Sequence, residues 1–418
     1  MSKFHEVLSN RNFFLLWLGQ IISQLGDRLG FMALIGFAYS KKAQGSPAEI
    51  FKILLFTIVP VFLIGPIAGA YVDRWDRRRT MYMCDFLRML LVGTLPLFLF
   101  HARNLSIAYL LIFIIFCIAR FFLPAKLSIV PDLVKNHDLL IANSLVNITG
   151  MIAFVVGSGI GGVVVELAGV ENGFYLDALS FLVSGTLIFF ITQKSSVAMN
   201  FRKVSGDIVQ VIKKSLIQEI KEGVMYFISK KDIRLTAGVL FILASALGVV
   251  SVVSIVFVQN TLHSATKGLG LLIMFLGAGL FLGALVYGRF GSRISHYKMI
   301  FTSLILSGIM LIVFVLGLKY YPNFLSAALL SFLLGLFSSP ILIASNTIIH
   351  KASDNKMRGK IFSSLEMVMH LGFLLNMYLS TFLAQRYSHV LILVVIGCLF
   401  SVLGAISLIV NRKISWLD

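Results

Sequence analysis

Twelve long apolar stretches constrain this chain of 418 residues more than any other feature. Each stretch has roughly 20 residues, the length of a helix that crosses the hydrocarbon core of a bilayer. Stretches such as 107–122 and 391–410 are apolar nearly all round, whereas helices at the surface of a soluble protein have a polar face. With 58% hydrophobic and only 13% charged residues, the sequence predicts an all-α, polytopic membrane protein.

The distribution of basic residues predicts the orientation of these spans. We expect the spans at 13–39, 50–72, 80–100, 105–124, 139–165, 172–192, 235–258, 268–288, 298–318, 323–343, 361–384 and 389–410. If the N-terminus and the connections after even-numbered spans are inside, that side holds 26 of the 36 Lys and Arg, and the other side holds seven. The positive-inside rule therefore predicts cytoplasmic termini. The net charge of +18 reports this topology and does not indicate a nucleic-acid partner.

A long polar segment divides the chain into two halves. The division predicts a six-helix bundle over 1–192, a cytoplasmic linker over 193–234 and a second bundle over 235–418. The linker is Lys-rich and carries apolar residues at helical spacing, namely Ile217, Ile220, Val224, Phe227 and Ile228. This pattern indicates an amphipathic helix on the inner leaflet, with a regulatory binding helix as the alternative.

The two halves resemble one another. Gly69 and Arg79 match Gly283 and Arg293 at an offset of 214 residues. The fourth span of each half also ends alike, near Pro124 and Pro340. Matched positions in matched spans indicate duplication, and parallel six-helix repeats are a transporter architecture.

The connection at 69–79, GAYVDRWDRRR, is a tight charged turn between spans 2 and 3. Its glycine permits close helix approach, its first aspartate suits a helix N-terminus, and its arginines suit an anionic membrane surface. We expect a conformational gate here that includes Gly69, Asp73, Arg74, Arg77 and Arg78. The gate is predicted to be asymmetric, because Tyr287 stands where Asp73 would be repeated.

Several motifs resemble those of the major facilitator superfamily. The 69–79 segment resembles its loop motif Gly-x-x-x-Asp-Arg-x-Gly-Arg-Arg, with Asp76 in place of the second glycine. Arg120 followed by Pro124 is similar to its span-4 arginine pattern. Residues 153–162 are similar to its span-5 antiporter pattern, from which Ala153 and Ser158 depart. The segments LGQIISQLGDRLGFMAL, FLPAKLSIVPDLV, NSLVNITG, FYLDALSFLVSG and DNKMRGKIFSS further resemble the macrolide-efflux and enterobactin-exporter branch.

The resemblance implies a twelve-helix, proton-driven exporter of a bacterial inner membrane that alternates between inward-open and outward-open states. It implies that the 2–3 loop docks against the start of span 11 in the outward-open state. It also implies that Arg120 contacts the span-5 motif and the proton site. The helix-packing residues of that motif would be Gly157, Ser158, Gly161 and Gly162.

Charged residues inside a membrane are costly, so each is expected to be paired or functional. Asp27 and Arg28 project about 100° apart on a helix, so one should line the cavity and the other should find a partner. Gly26 and Gly30 flank them and would permit a local backbone distortion. Asp27 is either the proton-coupling residue, which changes partner as helices move, or part of a structural ion pair.

Asp85 and Arg88 share a helical face three residues apart, as an intrahelical pair near the gate or as a relay partner of the loop charges. Arg120 would neutralise Asp27 or an anionic substrate. We expect Asp177, in span 6, to have a capping or hydrogen-bonding role.

Glu366 and His370 share a face of span 11 at positions i and i+4, which suits either a protonation pair or an interfacial role.

The remaining patterns indicate a secondary active transporter rather than an enzyme. A phosphate-binding loop and metal-ligand spacing are both missing from the sequence, so we expect no cofactor and no metal. The 36 Phe and 15 Met suit a bulky amphipathic substrate, either drug-like or siderophore-like. We expect a monomer, surrounded by membrane lipids, that exports this substrate in exchange for protons. A lysophospholipid or other lipid transporter is the alternative. A receptor or scaffold of this fold would be expected to lose the buried charges.

Overall fold

The structure, a computed structural model, describes residues 4–40, 46–72, 75–102, 104–192, 225, 231–291, 294–352 and 358–410. The described residues contain twelve helices long and apolar enough to cross a membrane, which confirms the predicted all-α fold. These helices are α1 (Arg11–Ser40), α2 (Pro47–Val72), α3 (Arg77–Pro96), α4 (Leu105–Leu133), α5 (Leu139–Ala168), α6 (Val170–Phe189), α7 (Lys231–Leu262), α8 (Lys267–Phe290), α9 (His296–Tyr320), α10 (Phe324–Ala352), α11 (Arg358–Arg386) and α12 (His389–Val410).

Among the described residues, three shorter helices accompany the spans. Phe4–Leu8 precedes α1, a π-helical turn at Leu97–His101 continues α3 past Pro96, and a 3-10 turn at Asn136–Asp138 leads into α5.

The prediction that the fourth and tenth spans end near prolines is wrong. Pro124 and Pro131 lie inside α4, and Pro340 lies inside α10. Proline is tolerated within membrane helices because neighbouring groups satisfy the carbonyl that it frees. The residues after Pro124 also keep a helical spacing of buried apolar side chains, including Ala125, Ile129, Val130 and Leu133. Their burial favours continuation of the helix.

In the first half, α3 packs against α4 and α6, and α5 packs against α6. A buried core at one end of these helices includes Phe13, Met81 and Ile188, and Val7 of the short N-terminal helix joins it. The Asn10 side chain donates a hydrogen bond to the Leu133 carbonyl at 2.7 Å. The start of α1 is thereby tied to the end of α4.

The second half repeats this packing. α9 packs against α10 and α12, as α3 packs against α4 and α6, and α8 also packs against α10. Glycines make several of these contacts close: a Cβ on Gly279 would overlap the Phe332 carbonyl oxygen, and one on Gly335 would overlap that of Leu276. The repeated pattern confirms two pseudo-symmetric six-helix halves.

The chain divides by packing into two compact units, 1–37 with 52–215 and 38–51 with 216–418. The domain bounds drawn from the sequence remain a prediction. All five apolar residues of the predicted linker helix lie outside the described residues.

Candidate functional site

A buried ion pair on α3 forms the centre of the candidate site. Arg88 Nη2 donates to Asp85 Oδ1 at 2.5 Å, and Ser184 Oγ of α6 donates to Asp85 Oδ2 at 2.7 Å. Asp85 is 0% exposed and Arg88 is 4% exposed. The guanidinium lies 5.0 Å from the Phe122 ring centre and 4.1 Å from that of Phe181. Arg88 is therefore held by a carboxylate and two aromatic faces.

Asp27 of α1 joins this pair from one side. Its Oδ1 lies 3.7 Å from Arg88 Nη1, and its side chain is 41% exposed. This distance permits an ion pair but exceeds a hydrogen bond. Arg88 thus serves two carboxylates, and Asp27 is the more loosely held of the two. The intrahelical pair predicted on α3 is present, and Asp27 joins it as a third member whose partner the sequence left open.

Two cations of α4 also act on Asp27. Arg120 and Lys126 both interact electrostatically with its carboxylate, and Arg120 Nε is buried with no hydrogen-bond partner among the described residues. The predicted end of the fourth span at residue 124 placed Lys126 in a loop. In the structure Lys126 lies half-buried within α4. We call seven residues the charge cluster: Asp27, Arg28, Asp85, Arg88, Arg120, Lys126 and Asp177.

Arg28 faces α5 rather than α3. Its guanidinium lies 4.8 Å from the Phe154 ring centre, and its Cγ lies 2.9 Å from where a Cβ on Gly157 would be. A Cβ on Gly161 would lie 3.2 Å from the Arg28 carbonyl oxygen. These two glycines therefore allow α5 to approach α1, and neighbouring Asp27 and Arg28 have different partners, as their angular separation predicts.

Ser158 and Gly162 are the other two residues of the α5 motif. Ser158, where the superfamily pattern has proline, donates to the Phe154 carbonyl at 2.6 Å, and Gly162 is buried.

Asp177 lies inside α6, eight residues into the helix and 5% exposed. The expected capping role is wrong, because the N-cap position of α6 belongs to Gly169. Its carboxyl group instead packs on α1 at Gly26 and Gly30. The distortion that these glycines would permit does not occur, since α1 is an unbroken helix from Arg11 to Ser40.

The arginines of the 2–3 loop bind the ends of two helices. Arg77 Nη1 donates to the Ser128 carbonyl at 2.9 Å and lies 2.5 Å from Asp132 Oδ2, both on α4. Arg78 Nη2 donates to the Phe189 carbonyl at the end of α6 at 2.5 Å. These two residues contact protein, although the sequence predicted an anionic membrane surface.

The departure of Asp76 from the superfamily pattern has a local reason. Asp76 is the N-cap of α3, and its carboxylate accepts from the Arg79 backbone N–H at 2.9 Å. Asp73 and Arg74 lie outside the described residues. Gly69 lies within α2, and its contacts are outside what the structure describes.

Glu366 and His370 lie on α11, in the second compact unit. Glu366 is exposed, and its backbone carbonyl oxygen lies 2.7 Å from His370 Nδ1. This contact involves the backbone of Glu366 and not its carboxylate, so the protonation role of the pair stays a prediction.

Known proteins resemble the chain over most of its length. The profile of the transmembrane secretion effector family matches residues 3–413. Macrolide efflux protein A of Streptococcus pyogenes is 23% identical, covering 90% of this chain and 89% of its own. The multidrug efflux pump Tap of Mycobacterium tuberculosis is 22% identical, covering 83% and 81%. The uncharacterised MFS-type transporter YkuC of Bacillus subtilis is 26% identical, covering 85% and 81%.

Solved transporter structures share the fold. A peptide transporter POT in complex with sulfate superposes with a TM-score of 0.71 at 13% identity, covering 100% of this chain and 99% of its own. The nucleoside transporter NupG superposes with a TM-score of 0.72 at 12% identity, covering 96% and 98%. At these identities the likeness concerns the fold alone.

Proposed function

We propose that this chain, which belongs to the transmembrane secretion effector family of major facilitator superfamily transporters, exports a bulky amphipathic small molecule in exchange for protons. The chain is a multi-pass membrane protein. Efflux is supported by relatives named for macrolide and multidrug efflux. A drug-like or siderophore-like substrate suits the abundance of Phe and Met, whose side chains adapt to varied apolar surfaces.

The observation that carries proton coupling is the position of Asp27. Its half-exposed carboxylate shares Arg88 with the fully buried Asp85. Protonating Asp27 removes its attraction to Arg88 while the Asp85–Arg88 pair stays intact. A proton can therefore change the α1–α3 contact without leaving a buried charge unpaired.

Alternating access would follow from rocking of the two six-helix halves around a central site. Arg77 and Arg78 would keep α3, α4 and α6 together as one body at the end where the 2–3 loop lies. In the outward-open state this loop would dock on the start of α11. The charge distribution supports cytoplasmic termini, and the bacterial efflux relatives support a bacterial inner membrane. Each monomer would work alone.

Inverted membrane vesicles test the role of Asp27. With a macrolide as probe, addition of substrate to wild-type vesicles should dissipate an imposed pH gradient, and Asp27→Asn should abolish this response. Glu171→Gln is the matched control, since Glu171 is an acid on α6 outside the charge cluster and accepts a hydrogen bond from Tyr175. Transport by this variant should stay coupled to protons. Undiminished coupling in Asp27→Asn would remove the proposed role.

A lysophospholipid transporter is the second candidate. The charge cluster holds four cations and three acids, and the excess positive charge suits a phosphate headgroup. Fluorescent lysolipid translocation and macrolide uptake, measured in the same vesicles, separate the two. Lysolipid movement without macrolide uptake would favour the lipid transporter.

A further inference from the structure

A notch in α1 receives the carboxyl group of Asp177. Gly26 and Gly30 are one helical turn apart and both face α6. A Cβ on Gly26 would lie 2.9 Å from Asp177 Oδ1, and one on Gly30 would overlap Asp177 Oδ2 and lie 2.9 Å from Cγ. The carboxyl group fits only because neither position has a side chain.

One of the two carboxyl oxygens in this notch lacks a donor. Asp177 Oδ1 is buried with no hydrogen-bond partner among the described residues. The Ser180 hydroxyl lies within hydrogen-bonding reach of the carboxyl group and also donates to the Asp177 backbone carbonyl at 2.7 Å, so its one proton is shared between the two. The α1 backbone facing it is an unbroken helix, whose N–H groups are used within the helix. An ionised carboxylate in such a place costs several kcal/mol, which its neutral form avoids.

Among the charged groups around Asp177, Asp27 favours its neutral form, whereas the two arginines favour the carboxylate. Asp27 and Arg28 of α1 and Arg88 of α3 interact with it electrostatically. Arg88 is bonded to Asp85, and Arg28 lies over the Phe154 ring.

The α5 neighbour adds an apolar contact, because Val165 packs at Gly173 of α6. The cations that face Asp177 thus have other partners, and the charge of Asp27 opposes a second negative charge.

We propose that Asp177 is a second proton-carrying residue of the transporter, which holds its proton in the α1–α6 contact while Asp27 exchanges protons with the aqueous phase. The proposal rests on the proposed proton-coupled export. In the transfer step the Asp177 O–H bond breaks and an O–H bond forms on the Asp27 carboxylate, with no change of oxidation state. The resulting Asp177 carboxylate needs water or a cation, so it favours separation of α1 from α6. Protonation would thereby set the distance between the two helices.

Asp177→Asn tests this proposal, since an amide matches a neutral carboxyl group in size but does not release a proton at physiological pH. In proteoliposomes with a radiolabelled macrolide, the variant should keep exchange between equal substrate concentrations. Its accumulation driven by a pH gradient should fall at least tenfold. Glu171→Gln should retain both activities.

Three results would overturn the assignment. Gradient-driven accumulation equal to wild type would show that Asp177 carries no coupled proton. Loss of exchange together with accumulation would assign Asp177 to binding or to helix movement. Loss of the folded protein would show that an ionised carboxylate is needed. If wild-type protein exchanges macrolide but moves no protons, the proposed function fails as well, and this outcome is distinct from the other three.

Discussion

At the scale of single residues, one cation organises the candidate site. Arg88 is buried between two rings and attracts two carboxylates, with Asp85 bonded directly and Asp27 3.7 Å away. The three-residue spacing within α3 predicted the first contact. The second could not be predicted, because it depends on how α1 packs beside α3.

Arg88→Ala should destabilise the protein strongly. The substitution leaves Asp85 buried with only the Ser184 hydroxyl as a donor, and removing one partner of a buried ion pair typically costs about 3–5 kcal/mol. Arg88→Lys loses the planar guanidinium between the rings but keeps the positive charge beside Asp85. Its loss of stability should therefore be smaller than that of Arg88→Ala.

The stability of both variants and of wild type is measured by thermal unfolding in detergent. Equal stability of Arg88→Ala and wild type would contradict the view that Arg88 compensates Asp85.

At the scale of helices, close packing depends on glycines whose neighbours are backbone atoms. The span-5 pattern predicted packing at Gly157 and Gly161, and the structure identifies Arg28 of α1 as their neighbour. In the second half, a Cβ on Gly335 would overlap the Leu276 carbonyl oxygen and lie 2.9 Å from the Leu280 nitrogen. A backbone cannot move aside as a flexible side chain can.

Gly335→Ala should therefore lower stability by about 1–3 kcal/mol, the usual cost of overpacking. Gly288→Ala is the matched control on α8, because none of the described residues lies within 4 Å of a Cβ there. The control should be neutral or gain up to about 1 kcal/mol, since alanine restricts the unfolded chain and favours the helix.

Unfolding temperatures of the two variants decide this prediction. A larger loss in Gly288→Ala than in Gly335→Ala would mean that α8 and α10 are not held by this contact.

At the scale of the whole molecule, hydropathy predicted the twelve helices and sequence offsets predicted the duplicated halves. Proline positions misplaced the ends of α4 and α10, because burial of the residues beyond them outweighs the lost hydrogen bonds. The charge cluster was found in part: Asp27, Asp85 and Arg120 stand out as charges within apolar runs. Lys126 was assigned to a loop by the early end given to the fourth span, and the notch around Asp177 depends on helix packing.

The two halves differ at their repeated loops, where Tyr287 replaces Asp73. In the second half, the Tyr287 hydroxyl lies 2.7 Å from His296 Nδ1, which links α8 to the start of α9. That Asp73 controls closure of the first half stays a prediction.

Asp73→Asn should slow macrolide transport several-fold while leaving macrolide affinity largely unchanged. The reason is that a gate residue alters the rate of interconversion rather than the substrate site. Transport rates and equilibrium binding, measured on the same preparation, test it. Parallel losses of rate and affinity would instead assign Asp73 to folding.

The central claim is that substrate export and proton movement are one coupled process. Purified wild-type protein in liposomes, loaded with a pH-sensitive dye and supplied with radiolabelled macrolide, allows both fluxes to be recorded together. The account predicts that macrolide enters an acidic lumen as protons leave it, and that an ionophore which collapses the gradient stops accumulation. Accumulation that continues without a gradient, or macrolide entry with no change in lumen pH, would contradict it.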